Sequence, residues 1–440
     1  MSATSTLSSG SERLEAWTRR SQPMIEIDLT GPKPGHFNCY TTADSIDGTV
    51  TVTVEHETPF DEVEIVFDGT SRTKVERGSY PGRMGSQHMF LNLRQPIEDI
   101  EYPTPRVLKR GRSYQFPFTF VVPDRLLPQV CTHIKKNAHV RRSHTMLPPT
   151  LGDPMLQNNG KTLLDDMSPD MSQVAYIVRA SVYQKQLTGH GVKSIVAVDK
   201  KVRIIPLVEE EPPVDISGTT SLYMRNEQSV KRGTLRGKLG RLVAATSQPK
   251  PIRLLPPNCE PSDTVSTVAT VNLRFEPVGN EQPPPLGTMI SKLRASTFYS
   301  ASPWDDFPSS TGVPFGQIDR GLYTEAVPLS TMCVASAQWT KQTYDSRPYS
   351  ATSSSDSLST GLSSTYAGDT YYTASLVIPV TLPKSKAFVP TFHSCLMSRT
   401  YSLELSLTYH TPATNIMTPT ISLRVPIQFT SERLSQVFPV

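Results

Sequence analysis

Apolar and polar residues alternate with a period of two through most of the chain. Ile25, Ile27 and Leu29 alternate with Glu26 and Asp28, and Val50, Val52 and Val54 alternate with Thr49, Thr51 and Thr53. Val63, Ile65 and Phe67 follow, with Glu62 and Glu64 interleaved. The same rhythm returns late in the chain at Leu376, Ile378 and Val380, at Leu403, Leu405 and Leu407, and at Ile421, Leu423 and Val425. This pattern turns one side of each segment to a core and the other to water, as in half-buried antiparallel strands. The β-branched bias of the runs agrees. Gly-Pro-Lys-Pro-Gly at 31–35 and Asp68-Gly69 supply turn chemistry between strands. Many short strands predict an all-β protein built of antiparallel β-sandwiches. Helical signal is confined to residues 11–20, with Leu14 and Trp17 on one face, and to a turn or two within 123–136. Residues 144–170 read as loop.

The run Pro-Leu-Val-Glu-Glu-Glu-Pro-Pro-Val-Asp at 206–215 marks a boundary, because acid and paired prolines make a stiff, extended connector. The expected organisation is a disordered tail at 1–22, one sandwich over 23–206, a linker at 207–216, and a second sandwich over 217–440. A fragment ending at the linker is expected to contain its own core. Two insertions in the second half read as disordered. One is 281–314, with its Pro-Pro-Pro run, and the other is 345–369, nearly all Ser, Thr, Gly and Tyr.

Composition narrows the function classes. The 440 residues hold 39 prolines, a density that argues against long helices. Lys and Arg number 44 against 40 Asp and Glu, a net charge of +4, so no nucleic-acid partner held by phosphate neutralisation is expected. The first ten residues lack the apolar stretch of a signal peptide, and no run approaches the roughly 18 apolar residues of a membrane span. No prenylation box ends the chain. A cytoplasmic protein is expected. Cys39, Cys131, Cys259, Cys333 and Cys395 are odd in number and widely scattered, which suits reduced, buried thiols better than a disulfide framework.

Several blocks carry a family likeness. Ile25-Glu26-Ile27-Asp28-Leu29, the stretch from Tyr40 to Val50, and Val63-Glu64-Ile65-Val66-Phe67-Asp68-Gly69 resemble the opening strands of arrestin-like N-terminal domains. The aromatic run from Tyr114 to Pro123 continues the likeness. Phe388-Val389-Pro390-Thr391-Phe392-His393-Ser394 and Tyr401-Ser402-Leu403-Glu404-Leu405 are similar to late strands of the C-terminal domain. With Leu147-Pro148-Pro149-Thr150-Leu151-Gly152-Asp153, the style is closest to the fungal arrestin-related trafficking adaptors. The likeness covers roughly residues 24 to 430 and rests on the order of short motifs.

The resemblance implies two tandem sandwiches and no catalysis. It implies an adaptor that links membrane cargo tails, of transporters or receptors, to a ubiquitin ligase for endocytosis and sorting, peripheral to plasma membrane or endosomes. Family members often recruit ligases through Pro-Pro-x-Tyr motifs read by WW domains. That motif is absent here, since the Pro-Pro pairs at 148–149, 212–213, 256–257 and 283–285 lack the tyrosine. Ligase recruitment through a further adaptor is one expectation. The alternative is a coat scaffold resembling the arrestin-like subunit of retromer, without a ligase link. A carbohydrate- or lipid-binding sandwich ranks third. Arrestins that sense receptor phosphates carry a lysine pair in the first strand, whereas Glu26 and Asp28 stand here, so that recognition is not carried over.

Catalytic, cofactor and metal readings find little footing. There is no HExxH and no GxSxG, and the glycines at 152 and 160 are too far apart for a phosphate loop. Asp165-Asp166 reads as a solvated pair. Nine histidines are dispersed, and none is paired with a cysteine at the spacing of a local zinc motif, so no metal, cofactor or catalytic residue is expected. Basic stripes are the candidate contacts to phosphate, anionic lipid or a partner. On a strand over 231–241, Arg232, Arg236 and Lys238 share one face. A second cluster gathers Lys135, Lys136, Arg141 and Arg142, with His139 and His144 between and beside them.

Overall fold

The computed structural model describes residues 23–31, 39–76, 83–153, 164–185, 192–216, 221–232, 237–255, 265–309, 319–343, 370–412 and 418–432. Among these residues, ten strands form in the first half: β1 (Met24–Leu29), β2 (Cys39–Tyr40), β3 (Ser45–Thr53), β4 (Thr58–Pro59), β5 (Glu62–Glu76), β6 (Arg83–Arg94), β7 (Val107–Leu108), β8 (Ser113–Val121), β9 (Ser172–Lys185) and β10 (Val192–Ile204). One α-helix, α1 (Ala138–Ser143), lies between β8 and β9. The second half begins with β11 (Arg225–Lys231), β12 (Lys238–Thr246), β13 (Ile252–Leu254), β14 (Ser266–Pro277), β15 (Leu286–Ser300) and β16 (Arg320–Cys333). It ends with β17 (Thr340–Thr343), β18 (Thr370–Thr381), β19 (Phe392–His393), β20 (Met397–Tyr409), β21 (Thr420–Ile427) and β22 (Phe429–Ser431).

Two layers face each other in each half. The sheet β1-β3-β8 covers the sheet β2-β10-β9-β5-β6, and β11-β12-β14-β18-β17 covers β16-β15-β20, where β20 also carries β19 and β21. Nearly all pairings are antiparallel; β2 with β10 and β13 with β22 run parallel. In β3, Ile46, Val50 and Val52 are fully buried while Thr49, Thr51 and Thr53 keep partial contact with water. The alternation thus fixes register, because a one-residue slip would turn the apolar row outward. Gly48 in β3 lies under Phe118 of β8. A Cβ there would stand 2.4 Å from the Asp28 carbonyl oxygen and 2.5 Å from the ring. Gly240 of β12 makes the same room for Phe275 of β14.

Two sequence expectations are corrected. Asp68-Gly69 is not a turn. It lies inside the 15-residue β5, where a register shift at Gly69/Thr70 takes up the glycine and Asn92 donates to Asp68 Oδ1 at 2.6 Å. Residues 281–314 are not a disordered insertion through 309. After the prolines, β15 is paired along its length by β16 and β20, and it buries Leu286, Met289, Leu293, Ala295 and Phe298. The prolines end before the strand begins, so they remove no ladder hydrogen bond from it. Residues 310–314, like 1–22 and 345–369, lie outside the described residues.

The two cores also meet across the halves. Tyr299, Val389, Phe392, Cys395, Leu396 and Met397 of the second half pack into the first cluster, while Met167 of the first half packs into the second. A large apolar side chain gains about 1.5–3 kcal/mol on full burial, so this junction is far stronger than a loosely docked pair of domains needs. The linker is held as well. Val208 exchanges two backbone hydrogen bonds with Ser431, both 3.1 Å, and Gln428 Nε2 donates to the carbonyls of Glu211 and Pro212.

Candidate functional site

The junction gathers the densest chemistry among the described residues. It is built from the loop that follows β8 and from the tight turn between β19 and β20. In the loop, a 3-10 turn (Pro128–Val130) leads to Cys131, and α1 follows, its N-terminus capped where Asn137 Oδ1 accepts from Val140 N–H at 2.9 Å. In the turn, Ser394 N–H donates to the Met397 carbonyl and Ser394 Oγ donates to the same oxygen, both 2.8 Å. Those bonds hold Cys395 at the apex, against the loop.

Four side chains converge there. Cys131 Sγ lies 3.1 Å from Cys395 Sγ, 3.1 Å from His133 Nε2 and 3.7 Å from His144 Nδ1. All four ligand atoms lie within 4.8 Å of one another. Cys131, His144 and Cys395 are buried and His133 is half-buried. The two cysteines are free thiols. The hydrogen bond from Cys395 holds the Cys131 thiol well below its ordinary range, against the opposing effect of burial and with help from His144 and Lys135. The Cys395 thiol is pushed up by that same bond and by burial. His393, half-buried beside the cluster, is held neutral: desolvation, and then the charges of His144 and His139, lower its pKa to about 3.

A second contact pins the junction further along. Arg399 of β20 is fully buried, and its guanidinium donates to the carbonyls of Asp166 at 3.0 Å and Met167 at 3.1 Å. Met167 has φ +59°, a left-handed conformation that a non-glycine residue adopts only when its surroundings hold it. Lys386 Nζ bridges Asp165 at 2.5 Å and Glu325 at 2.8 Å. The hydrogen bond from Lys386 depresses the Asp165 carboxyl. Asp165, itself exposed, thus reaches across to Lys386 of the second half, while the Asp166 carboxylate accepts from the N–H groups of Gly152 and Ser168 within its own half.

The basic candidates fare unequally. Lys135 donates to the Cys131 carbonyl. Lys136 pairs with Asp305 at 3.6 Å and Asp306 at 3.4 Å, on the second sandwich. Both serve the junction. Arg141 and Arg142 are exposed in the last turn of α1, where positive charge suits the helix dipole, and make no ion pair among the described residues. Residues 231–241 are not one strand but a hairpin: Arg232 N–H bonds to the Gly237 carbonyl at 3.2 Å, and Gly237 turns the chain at φ +49°. Arg232 then pairs with Glu281, Lys238 starts β12 as an exposed residue, and Arg236 lies outside the described residues. Arg232 and Lys238 are therefore not joined by one continuous strand.

Sequence reasoning missed the four-residue cluster because one member lies 264 residues from Cys131. The signal present was Cys131-Thr132-His133, inside the stretch read for a turn or two of helix. No helix among the described residues is long and apolar enough to cross a membrane. No protein-family model matches the chain, and no curated protein does.

Proposed function

We propose that this chain is a non-enzymatic, arrestin-like adaptor that holds the tail of a membrane cargo protein and links it to ubiquitin-dependent endocytosis and sorting. The observation that supports this reading is the tandem of two antiparallel sandwiches locked by a shared core, with the resembling blocks on β1, β3, β5, β8, β19 and β20. Such a body offers broad sheet faces to a partner. Peripheral contact with anionic lipid falls to Arg141 and Arg142, beside the exposed Leu127 and Ile134 of the same loop. A coat scaffold without a ligase link is the second reading, favoured by the missing Pro-Pro-x-Tyr motif.

Proximity labelling from the full chain in its native cell tests the two. Ubiquitin ligase and transporter or receptor proteins should be labelled above coat subunits. Coat subunits labelled without any ligase would replace the first reading by the second. For lipid contact, Arg141→Glu with Arg142→Glu should weaken co-sedimentation with phosphatidylserine vesicles by about thirtyfold or more at low salt. Equal binding by parent and variant would remove that contact.

A further inference from the structure

We propose that Cys131, His133, His144 and Cys395 bind one zinc(II) ion, which fastens the loop after β8 to the β19–β20 turn. The argument is geometric. Zinc takes thiolate sulfur at about 2.3 Å and imidazole nitrogen at about 2.0–2.1 Å, so the edges of a tetrahedral Cys2His2 site run about 3.3–3.8 Å. The 3.7 Å from Cys131 Sγ to His144 Nδ1 lies within that range, while the 3.1 Å to Cys395 Sγ and to His133 Nε2 fall short of it, so a bound ion would spread those two pairs. A disulfide would bring the sulfurs to about 2.05 Å, and two thiols in van der Waals contact would stand farther apart.

The surroundings fit a closed site. His133 Nδ1 lies 3.0 Å from the Ile134 carbonyl oxygen, so its N–H donates there and the Nε2 lone pair faces the sulfurs. Such an outer bond fixes the tautomer and ring orientation of ligating histidines. Cys395 is held at its turn apex by the Ser394–Met397 bonds and by Trp304 N–H, which donates to the Cys395 carbonyl at 2.9 Å. Two thiolates and two neutral imidazoles balance the ion's charge, and the displaced thiol protons pass to bulk water. Two sulfurs and two nitrogens in a tetrahedron select zinc over hard oxygen-seeking cations. With all four positions filled by protein, the ion is structural and leaves no open position for catalysis.

The test uses the full chain purified without chelators. Elemental analysis should give one zinc per chain. Replacement by cobalt(II) should give the visible absorption of a tetrahedral ion and a near-ultraviolet thiolate-to-cobalt band. Cys395→Ser and His144→Ala should abolish both. His133→Gln, at the half-buried rim, keeps the fold intact and should weaken cobalt binding at least tenfold. Removing zinc should lower the melting temperature of the parent and leave that of Cys395→Ser unchanged. A folded parent with no thiolate-to-cobalt band overturns the proposal. So does full metal retention by the Cys395→Ser, His144→Ala double variant, or a Cys131–Cys395 disulfide as the state isolated from a reducing cell.

Discussion

Arg399 shows how one side chain ties the halves together. A guanidinium buried to 0% exposure is costly unless its donors are paired, and here Nη1 and Nη2 donate to two carbonyls of the opposite half while Nε has no hydrogen-bond partner among the described residues. Arg399→Ala strands both carbonyls and leaves a cavity, which should cost about 3–5 kcal/mol in urea unfolding. Arg399→Met restores volume without donors and should cost less. Equal stability of Arg399→Ala and parent would mean that the junction does not depend on the contact. Gly48→Ala probes packing within one sandwich. Its Cβ would meet Asp28 O and Phe118, an overpacking worth about 1–3 kcal/mol.

At the level of elements, the clasp between the 164–167 segment and Lys386 carries a pH signature. The Asp165 carboxyl is depressed below its ordinary 3.8, first by the Lys386 hydrogen bond. Its contribution is therefore fully present above that ordinary value and is lost as the pH falls through the depressed one. Asp165→Asn should melt below the parent at neutral pH, and the gap should close in acid. A gap independent of pH would assign the effect to packing. Alternation made β1, β3, β18, β20 and β21 legible, because each has one wet face and one buried face. It failed at β15, where the triple proline masked a strand with Lys292 and Arg294 between its buried positions, and at Asp68-Gly69, where a bulge imitates turn chemistry. Residues 231–241 misled in the opposite sense, since Gly237 breaks the strand the basic spacing required. The Cys/His cluster was illegible for a different reason. Ligand spacing can be read within a loop, but Cys395 arrives through tertiary folding alone.

For the whole molecule, the two sandwiches share apolar residues, a buried arginine, the Lys136 pairs with Asp305 and Asp306, and the Cys/His cluster. A fragment ending at the linker would lose Tyr299, Val389, Phe392, Leu396 and Met397 from its core and expose the surface they cover. It should melt well below the full chain, and a fragment as stable as the parent would make the junction a minor contact. On the adaptor reading proposed above, such a lock would place cargo held on one sandwich at a fixed distance from a partner held on the other. Scanning calorimetry of the intact chain tests the lock most directly. One transition whose calorimetric and van't Hoff enthalpies agree is expected for halves that unfold together. Two separable transitions, with the first sandwich melting at the same temperature alone and in the full chain, would contradict it.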